Sequence, residues 1–532
     1  MRNILFYLNK LLFAIMMAVI LVLVIFFQDV PYACKKNFLV SNKMIAIAVL
    51  LLFAAVIVLH YLRKRNNHCL KFVIDDKSYD RVAKYATLCL LVTDIYISYN
   101  IFFTNGWDAG GIWTAAVARH NGDLGWSHGI AHYFSMYPNN TLLLLLETAC
   151  LKLNSEFGIF VGNYNMMSAI VVDCVTICSA CYLTYKVLTL HVRRTTAFGG
   201  FLVGVVLFGL SPWMTICYSD SLGILFPVLT YYLYTKPARN SWMKRAEQML
   251  AVVVCCIGYY IKPQCMIMLI AIVLIELFTF YKERRIRLLV KPLALLVVAC
   301  LSLAVTSSIL TIQYESIGVK LDPEMRFGMA HFFAMGMNEA DGGVFSQEDV
   351  DYSFAIETRK ERTAANLAKG IERVQKMGFT GFIRHLSRKL LTTYHDGTFA
   401  WGSEGSFYIQ VVDDVNTCMT PFLKSIYYSD GNRHEIFKLT EQFIWIAVLI
   451  FTFASGLIKQ TKNNRVELSI LMLAIVGLTL FEMLFEVRAR YLFLYAPIFC
   501  ILATLGFENM YTIMQEYIHK TSKIIEWNQA KD

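Results

Sequence analysis

Charged residues are scarce in this 532-residue sequence, at 17% against 57% hydrophobic. A soluble protein of this size carries roughly 25% charged residues, so the soluble globular class is excluded. The sequence also lacks any Cys/His spacing of the metal-binding kind among its 14 cysteines, which removes the zinc-ribbon and zinc-finger classes. Most of those cysteines, such as Cys174, Cys178, Cys181, Cys255 and Cys256, lie in apolar segments, where a thiol serves as a small apolar side chain. Cys34 and Cys418 are expected to face outward; they lie far apart in sequence, and no pairing between them is expected. No low-complexity tract and no clear internal repeat is present. No small-residue cleavage site follows the apolar run from Leu11 to Phe27, because Asp29-Val30-Pro31 comes next. That run is therefore expected to be an uncleaved first helix rather than a signal peptide.

What the sequence has is a succession of apolar runs near the roughly 20 residues needed to cross a bilayer. Spanning helices are expected over 5–27, 44–62, 85–104, 163–188, 197–213, 220–235, 248–261, 264–281, 289–312, 440–458, 466–485 and 491–509. The expectation is an all-α polytopic membrane protein with about 12 transmembrane helices. Its net charge of +10 does not indicate nucleic acid. The cations concentrate in Arg63-Lys64-Arg65, Arg193-Arg194, Lys244-Arg245, Lys282 to Arg285 and Lys459 to Arg465, which all fall in cytoplasmic loops when both termini are inside. Thr141 to Leu153 is apolar but too short to cross, and counting it as a span would put the basic loops outside. It is expected to lie in the outer interface or to be shallowly re-entrant. Four regions result: an N-terminal hairpin and cytoplasmic loop, 1–84; a membrane core, 85–312, with a first external loop, 105–162; an external insert, 313–439, forming a small capping region; and the last helices with a cytoplasmic tail, 440–532.

On this topology several polar residues meet the outer face. Asp108 lies in Asn105-Gly106-Trp107-Asp108-Ala109-Gly110-Gly111. It is either a helix-capping acid with Gly110-Gly111 making a turn or a general base held at the membrane surface. Lys262 sits between two apolar segments, where a cation is functional or paired; its plainer reading is a salt bridge to an outer acid. Arg488 and Arg490 follow a spanning helix, beside Glu486. They are either snorkelling anchors or forks for phosphate oxygens. Asp220 opens a helix and reads as an N-cap or a site acid. Asp173 lies within a span, where it marks an ion path or bonds inside the bundle. His120, His128 and His132 do not make the His-Glu-x-x-His zinc motif, because Gly129 follows His128. Asn139-Asn140-Thr141 matches a glycosylation sequon. In the insert, Tyr394 to Gly405 alternates aromatic, small and acidic residues. There His395, Asp396, Trp401 and Glu404 suit a sugar-binding loop, and a plain turn-rich loop explains them equally well.

Three of these features together resemble the GT-C superfamily of membrane glycosyltransferases. They are the outward acid after a helix, Tyr137-Pro138 before an amphipathic stretch, and Ser211-Pro212 ahead of Asp220. The late segment Arg490-Tyr491-Leu492-Phe493-Leu494-Tyr495-Ala496-Pro497 is similar to the closing helices of that superfamily. The resemblance covers roughly residues 85–508 at the level of architecture, through short motifs. The insert resembles external regions of relatives that decorate Gram-positive cell surfaces.

The resemblance implies sugar transfer from a polyprenyl-phosphate carrier to an external glycan or cell-wall polymer, at the extracytoplasmic face of the cell membrane. Asp108 matches the acid of the first external loop. Tyr137-Pro138 matches a Tyr-Pro-Pro element in which Asn139 replaces the second proline. Asp220 matches the acid after Ser-Pro, and Lys262 and Arg490 match positions facing the lipid phosphate, with Arg488 beside them. Tyr137, Asn139 and Asp220 are expected to contact substrate. No second acid adjoins Asp108, which argues against a metal bridging two neighbouring carboxylates, and no cofactor is expected. The chemistry is coherent without the family: a glycosyl phosphate carries its own leaving group, so one base and cations for the departing phosphate suffice. A rival reading is a transporter or flippase of a lipid-linked sugar, which calls for inverted repeats and paired half-helices. A second is a non-catalytic assembly scaffold.

Overall fold

Apolar runs of bilayer length have no water to satisfy their backbone, so they close their hydrogen bonds internally as helices. The computed structural model describes residues 3–27, 40–65, 75–122, 127–316, 321–403, 408–412, 415–461 and 464–529. Over these residues the chain is an all-α polytopic bundle. Eight helices are long and apolar enough to cross a membrane: Ile4–Phe26, Asn42–Arg63, Gly162–Leu188, Pro263–Glu283, Ile286–Glu315, His434–Ser455, Arg465–Leu484 and Ala489–Thr521. The remaining apolar segments also fold as helices. They are Asp76–Asn100, Arg194–Gly204 continued by a π-helical turn at Val205–Gly209, the short pair Ser219–Gly223 and Leu225–Thr235, and Ser241–Tyr259. Trp213, Trp401, Trp445, Tyr185 and Tyr231 fill the core, while Leu293, Val297, Leu301 and Val305 of one flanking helix face outward as a lipid-facing stripe does.

One end of the bundle gathers the basic loops. Arg194 pairs with Asp80 at 3.3 Å, Lys236 pairs with Glu247 at 3.0 Å, and Arg465 donates to the Asn3 side chain at 2.9 Å. Helix Arg465–Leu484 then rises about 30 Å, at 1.5 Å per residue, before the chain reaches Glu486. Residues 486–490 therefore lie at the end of the bundle opposite the basic loops.

The first loop departs from expectation where it begins. The helix expected over 85–104 stops at Asn100, and Phe103–Asn105 becomes a short strand antiparallel to Tyr408–Val411, with Phe103 opposite Val411. The aromatic and β-branched run Ile101-Phe102-Phe103-Thr104 favours the extended form. Thr141–Phe157 is a 17-residue helix that buries Leu143, Leu144, Glu147, Cys150 and Leu151. It packs against helices Trp107–His120 and Met167–Leu188.

The insert is helical: Met329–Gly336, Gln347–Phe354 and Arg359–Tyr394, the last bent at Gly378, whose φ is 61°. Its own charges hold it together, since Asp349 is clamped by Lys369 at 2.8 Å and Arg373 at 2.8 Å. It meets the bundle through Phe327 N–H to the Met136 carbonyl at 3.0 Å and Val487 N–H to the Gly343 carbonyl at 2.9 Å.

Candidate functional site

Asp108 lies in the first turn of helix Trp107–His120, and Gly106 takes the cap position. The capping reading is thereby corrected, as is the turn expected at Gly110-Gly111. Both glycines are inside the helix, and a Cβ on Gly110 would collide with the Asn105 carbonyl of the strand before it. The chain enters that helix through Trp107 at φ 46°, a left-handed conformation that a bulky residue rarely adopts and that is a recurrent feature of functional sites. Freed from capping, the half-buried Asp108 carboxylate accepts a hydrogen bond from the Tyr218 hydroxyl at 3.1 Å. Tyr133 also interacts with it and accepts from the Asn140 amide at 2.6 Å. Burial, and next the Asp108 charge, push both tyrosines well above the ordinary phenol range, so they remain protonated donors.

Asp220 is not an N-cap either. Tyr218 occupies that position, in a reciprocal capping arrangement with Ser221. The Asp220 carboxylate instead receives two cations from distant segments. Lys262 bonds to its Oδ1, and the Arg490 Nε lies 3.4 Å from its Oδ2. All three side chains are buried, Lys262 at 4% exposure and Arg490 at 8%. The salt bridge that was the plainer reading of Lys262 is therefore present, and it forms part of a larger cluster. Lys262 Nζ sits 4.0 Å above the Tyr491 ring. The Arg490 guanidinium lies 4.5 Å over Trp107 and 5.6 Å over Tyr218, geometry for cation–π attraction. Arg490 thus joins the Asp108 turn to the Asp220–Lys262 pair. Four segments distant in sequence bring these residues together.

Around this centre, Arg488 faces Glu486 at 3.5 Å and keeps more exposure than Arg490. Tyr137 packs on Tyr133 at 5.3 Å and on Phe327 of the insert at 5.5 Å. Burial, then the charges of Asp108 and Glu486, raise its phenol as well. Asn139 donates to the Asn140 side chain at 3.0 Å, and Asn140 is buried.

The Tyr394–Gly405 stretch is placed differently. His395, Asp396 and Trp401 are all buried. The Asn42 amide lies 3.4 Å from His395 Nε2. Asp396 accepts from Thr398 N–H at 2.8 Å, the Thr398 hydroxyl at 2.7 Å and Ala400 N–H at 3.2 Å. Trp401 donates to the Tyr427 carbonyl at 2.7 Å and packs on Trp213 at 5.6 Å and Phe103 at 6.0 Å. It backs the strand that leads to Asp108. Glu404 and Cys34 lie outside the described residues. Among the described residues, no group of three or more His, Cys, Asp or Glu is arranged to hold a metal.

Four contributors were not anticipated from sequence as members of the site: Tyr133, Tyr218, Glu482 and Lys389. Tyr133 and Tyr218 carry no local signal beyond being aromatic. Glu482 did carry one, an acid inside an apolar span; it is 1% exposed and lies within electrostatic reach of Lys262 and Lys389. Asp173, also buried, faces Ser221 and lies near Glu147. Burial favours the neutral form of Glu147, and neither of its carboxyl oxygens has a hydrogen-bond partner among the described residues.

A comparison with curated proteins finds no match to this chain. Over residues 3–511 the sequence matches the family described as conserved hypothetical integral membrane protein, and the chain, a multi-helix integral membrane protein by fold as well, belongs to that family.

Proposed function

We propose that this protein moves a sugar from a polyprenyl-phosphate carrier to an extracytoplasmic glycan or cell-wall polymer. The observation that carries the reading is the junction at Trp107-Asp108. A half-exposed carboxylate without a capping duty sits beside a ring covered by the Arg490 guanidinium at 4.5 Å. A base and a phosphate-type cation thus share one patch, at the bundle end opposite the basic loops. The positive-inside rule, which favours a cytoplasmic side for those loops, supports an outer-face position for the patch.

The chemistry follows from these groups. An acceptor hydroxyl gives its proton to Asp108 as its oxygen bonds to the anomeric carbon. The bond from that carbon to the phosphate oxygen breaks, and polyprenyl phosphate leaves with the electron pair. Attack opposite the leaving group inverts the anomeric centre. Charge grows on the phosphate as it departs, and a preorganised cation there stabilises the transition state more than the ground state. Arg490 and the more exposed Arg488 would touch the phosphate, with Lys262 behind them. Asp220 keeps the buried cations in place before substrate arrives, since an unpaired buried charge is costly. Tyr218 and Tyr133, held as neutral donors, orient the Asp108 carboxylate.

Reconstitution of the purified chain into vesicles with radiolabelled polyprenyl-phosphate sugars and a cell-wall extract tests the reading. Label should move to the extract with wild-type protein and not with the Asp108→Asn variant. Absence of transfer with every common hexose and pentose donor would count against it.

A further inference from the structure

Lys389 belongs to the insert, on the second half of helix Arg359–Tyr394, and is 1% exposed. Its Nζ donates to the Gly336 carbonyl at 2.9 Å and to the Phe485 carbonyl at 2.6 Å. Gly336 ends an insert helix, and Phe485 is the C-cap of membrane helix Arg465–Leu484. The two backbones approach so closely that a Cβ on Gly336 would overlap Phe485. His385, one turn earlier than Lys389, holds the same Gly336 carbonyl at 2.9 Å. A second link runs from Val487 N–H to the Gly343 carbonyl at 2.9 Å. A Cβ on Gly343 would sit 3.0 Å from the Lys389 stem, so the two links pack against each other. Both grip residues 485–487, which bridge the end of a membrane helix and the 3₁₀ turn Ala489–Tyr495. Arg488 and Arg490 come immediately after. Glu482, one turn before Phe485, lies within electrostatic reach of both Lys389 and Lys262.

We propose that Lys389 is a positioning residue for the donor-phosphate cations: it straps the insert onto segment 485–487 and thereby fixes where Arg488 and Arg490 point. Phosphate binding then depends on a docked insert, and the capping region is a working part of the site. The inference deepens the glycosyltransferase reading and rests on it. The reason is geometric. Glu486 and Val487 lie between the C-cap of the membrane helix and the N-cap of the 3₁₀ turn, so their conformation is set by what holds the neighbouring carbonyls and N–H groups. Displacement of a catalytic group by about 1 Å can cost about 10²-fold in rate. An ammonium has three donors and a neutral amine two, so Lys389 can serve both carbonyls in either charge state.

The test uses the full chain in detergent. Lys389→Met keeps the apolar stem and removes the amine. Hydrogen exchange is followed in peptides covering 482–492, beside Lys369→Met, which breaks the Lys369–Asp349 pair inside the insert and leaves the strap untouched. Binding of undecaprenyl phosphate is measured on the same samples. In K389M the exchange should quicken about tenfold or more through local opening, and the affinity should fall about tenfold or more; K369M should match wild type in both. If K389M does not fold, Lys389→Gln, which keeps an amide donor, should give an intermediate shift in both readings. Unchanged exchange at 482–492 overturns the strap. Faster exchange with unchanged affinity overturns the positioning role and leaves Lys389 as a fold-holding residue. Wild-type protein that does not bind the probe refutes the donor reading and the phosphate half of this inference, while the exchange arm still decides the strap.

Discussion

Two clusters of polar and aromatic residues stand out in the sequence, and the structure uses them in opposite ways. Residues 394–403 are dense in sequence and closed in space. The Asp396 carboxylate accepts from Thr398 and Ala400, and the indole of Trp401 is satisfied by the Tyr427 carbonyl. The Asp108 centre is sparse in sequence and convergent in space. Its acid, its tyrosine, its second acid and its cations come from the first loop, the Ser211–Asp220 connection, the Lys262 break and the 486–490 segment. A local cluster can satisfy itself with turn chemistry. Single charges from separate helices meet only where the fold brings them together, at the cost of desolvation.

The largest effect that would sharpen this contrast is at Asp108. Asp108→Asn keeps the size of the side chain and an oxygen for the Tyr218 hydroxyl but cannot take a proton. A positioned general base contributes roughly 10²–10⁴-fold, so sugar transfer should fall by about that factor while insertion into vesicles and donor binding persist. Because Gly106 holds the cap position, the substitution should leave thermal stability nearly unchanged. Transfer at near wild-type rate by folded D108N would remove Asp108 as the base and erase the distinction between the two clusters.

Much of this was legible in the sequence, for identifiable reasons. Apolar runs and one-sided basic loops are long-range statistical signals, and they gave the helical bundle and the relative placement of its ends. Asp108, Asp220, Lys262 and Arg490 were readable as singular charges beside apolar segments, where each needs a partner. Their mutual pairing was not readable, because no local pattern encodes which helix break faces which. Gly110 shows the limit well. A glycine pair suggests a turn, yet both residues lie inside the helix, and it is Gly110 alone that lets the Asn105 carbonyl approach. Tyr218 and Lys389 escaped for a similar reason, since a tyrosine in a loop and a lysine on an amphipathic helix look ordinary until their partners are in place.

The second effect concerns the cations. Arg490→Ala should weaken donor use by about 2–4 kcal/mol, the scale for removing a stabilising donor at a developing charge. Lys262→Ala should approach that value. Arg490→Lys should not restore it, because a point charge replaces a planar fork and the stacking over Trp107 is lost. Steady-state kinetics with varied donor lipid would measure this. A full rescue by lysine would mean that Arg490 supplies net charge alone, and unchanged donor kinetics in R490A would return the segment to membrane anchoring.

The smallest expected effect on transfer is at Asp396, and it bears on the other half of the comparison. Phe399 and Ala400 hold φ of 54° and 63°, left-handed values that the Asp396 bonds keep in place. Asp396→Ala would leave buried donors on Thr398 and Ala400 without their acceptor, at about 1–3 kcal/mol for each buried group left unsatisfied. The thermal midpoint of the purified protein should therefore fall. Transfer per folded molecule, and its dependence on acceptor concentration, should stay close to wild type. A sugar-binding role predicts the reverse: stability little changed and the acceptor requirement raised. Asp396→Asn separates the two further. Its carbonyl oxygen can still accept from Thr398, while its amide cannot accept from Ala400, so the stability loss should be smaller than for alanine. If D396N and D396A both spare stability and both raise the acceptor requirement, the 394–403 turn belongs to the substrate surface, and the line drawn between a self-satisfied cluster and a convergent one fails for this protein.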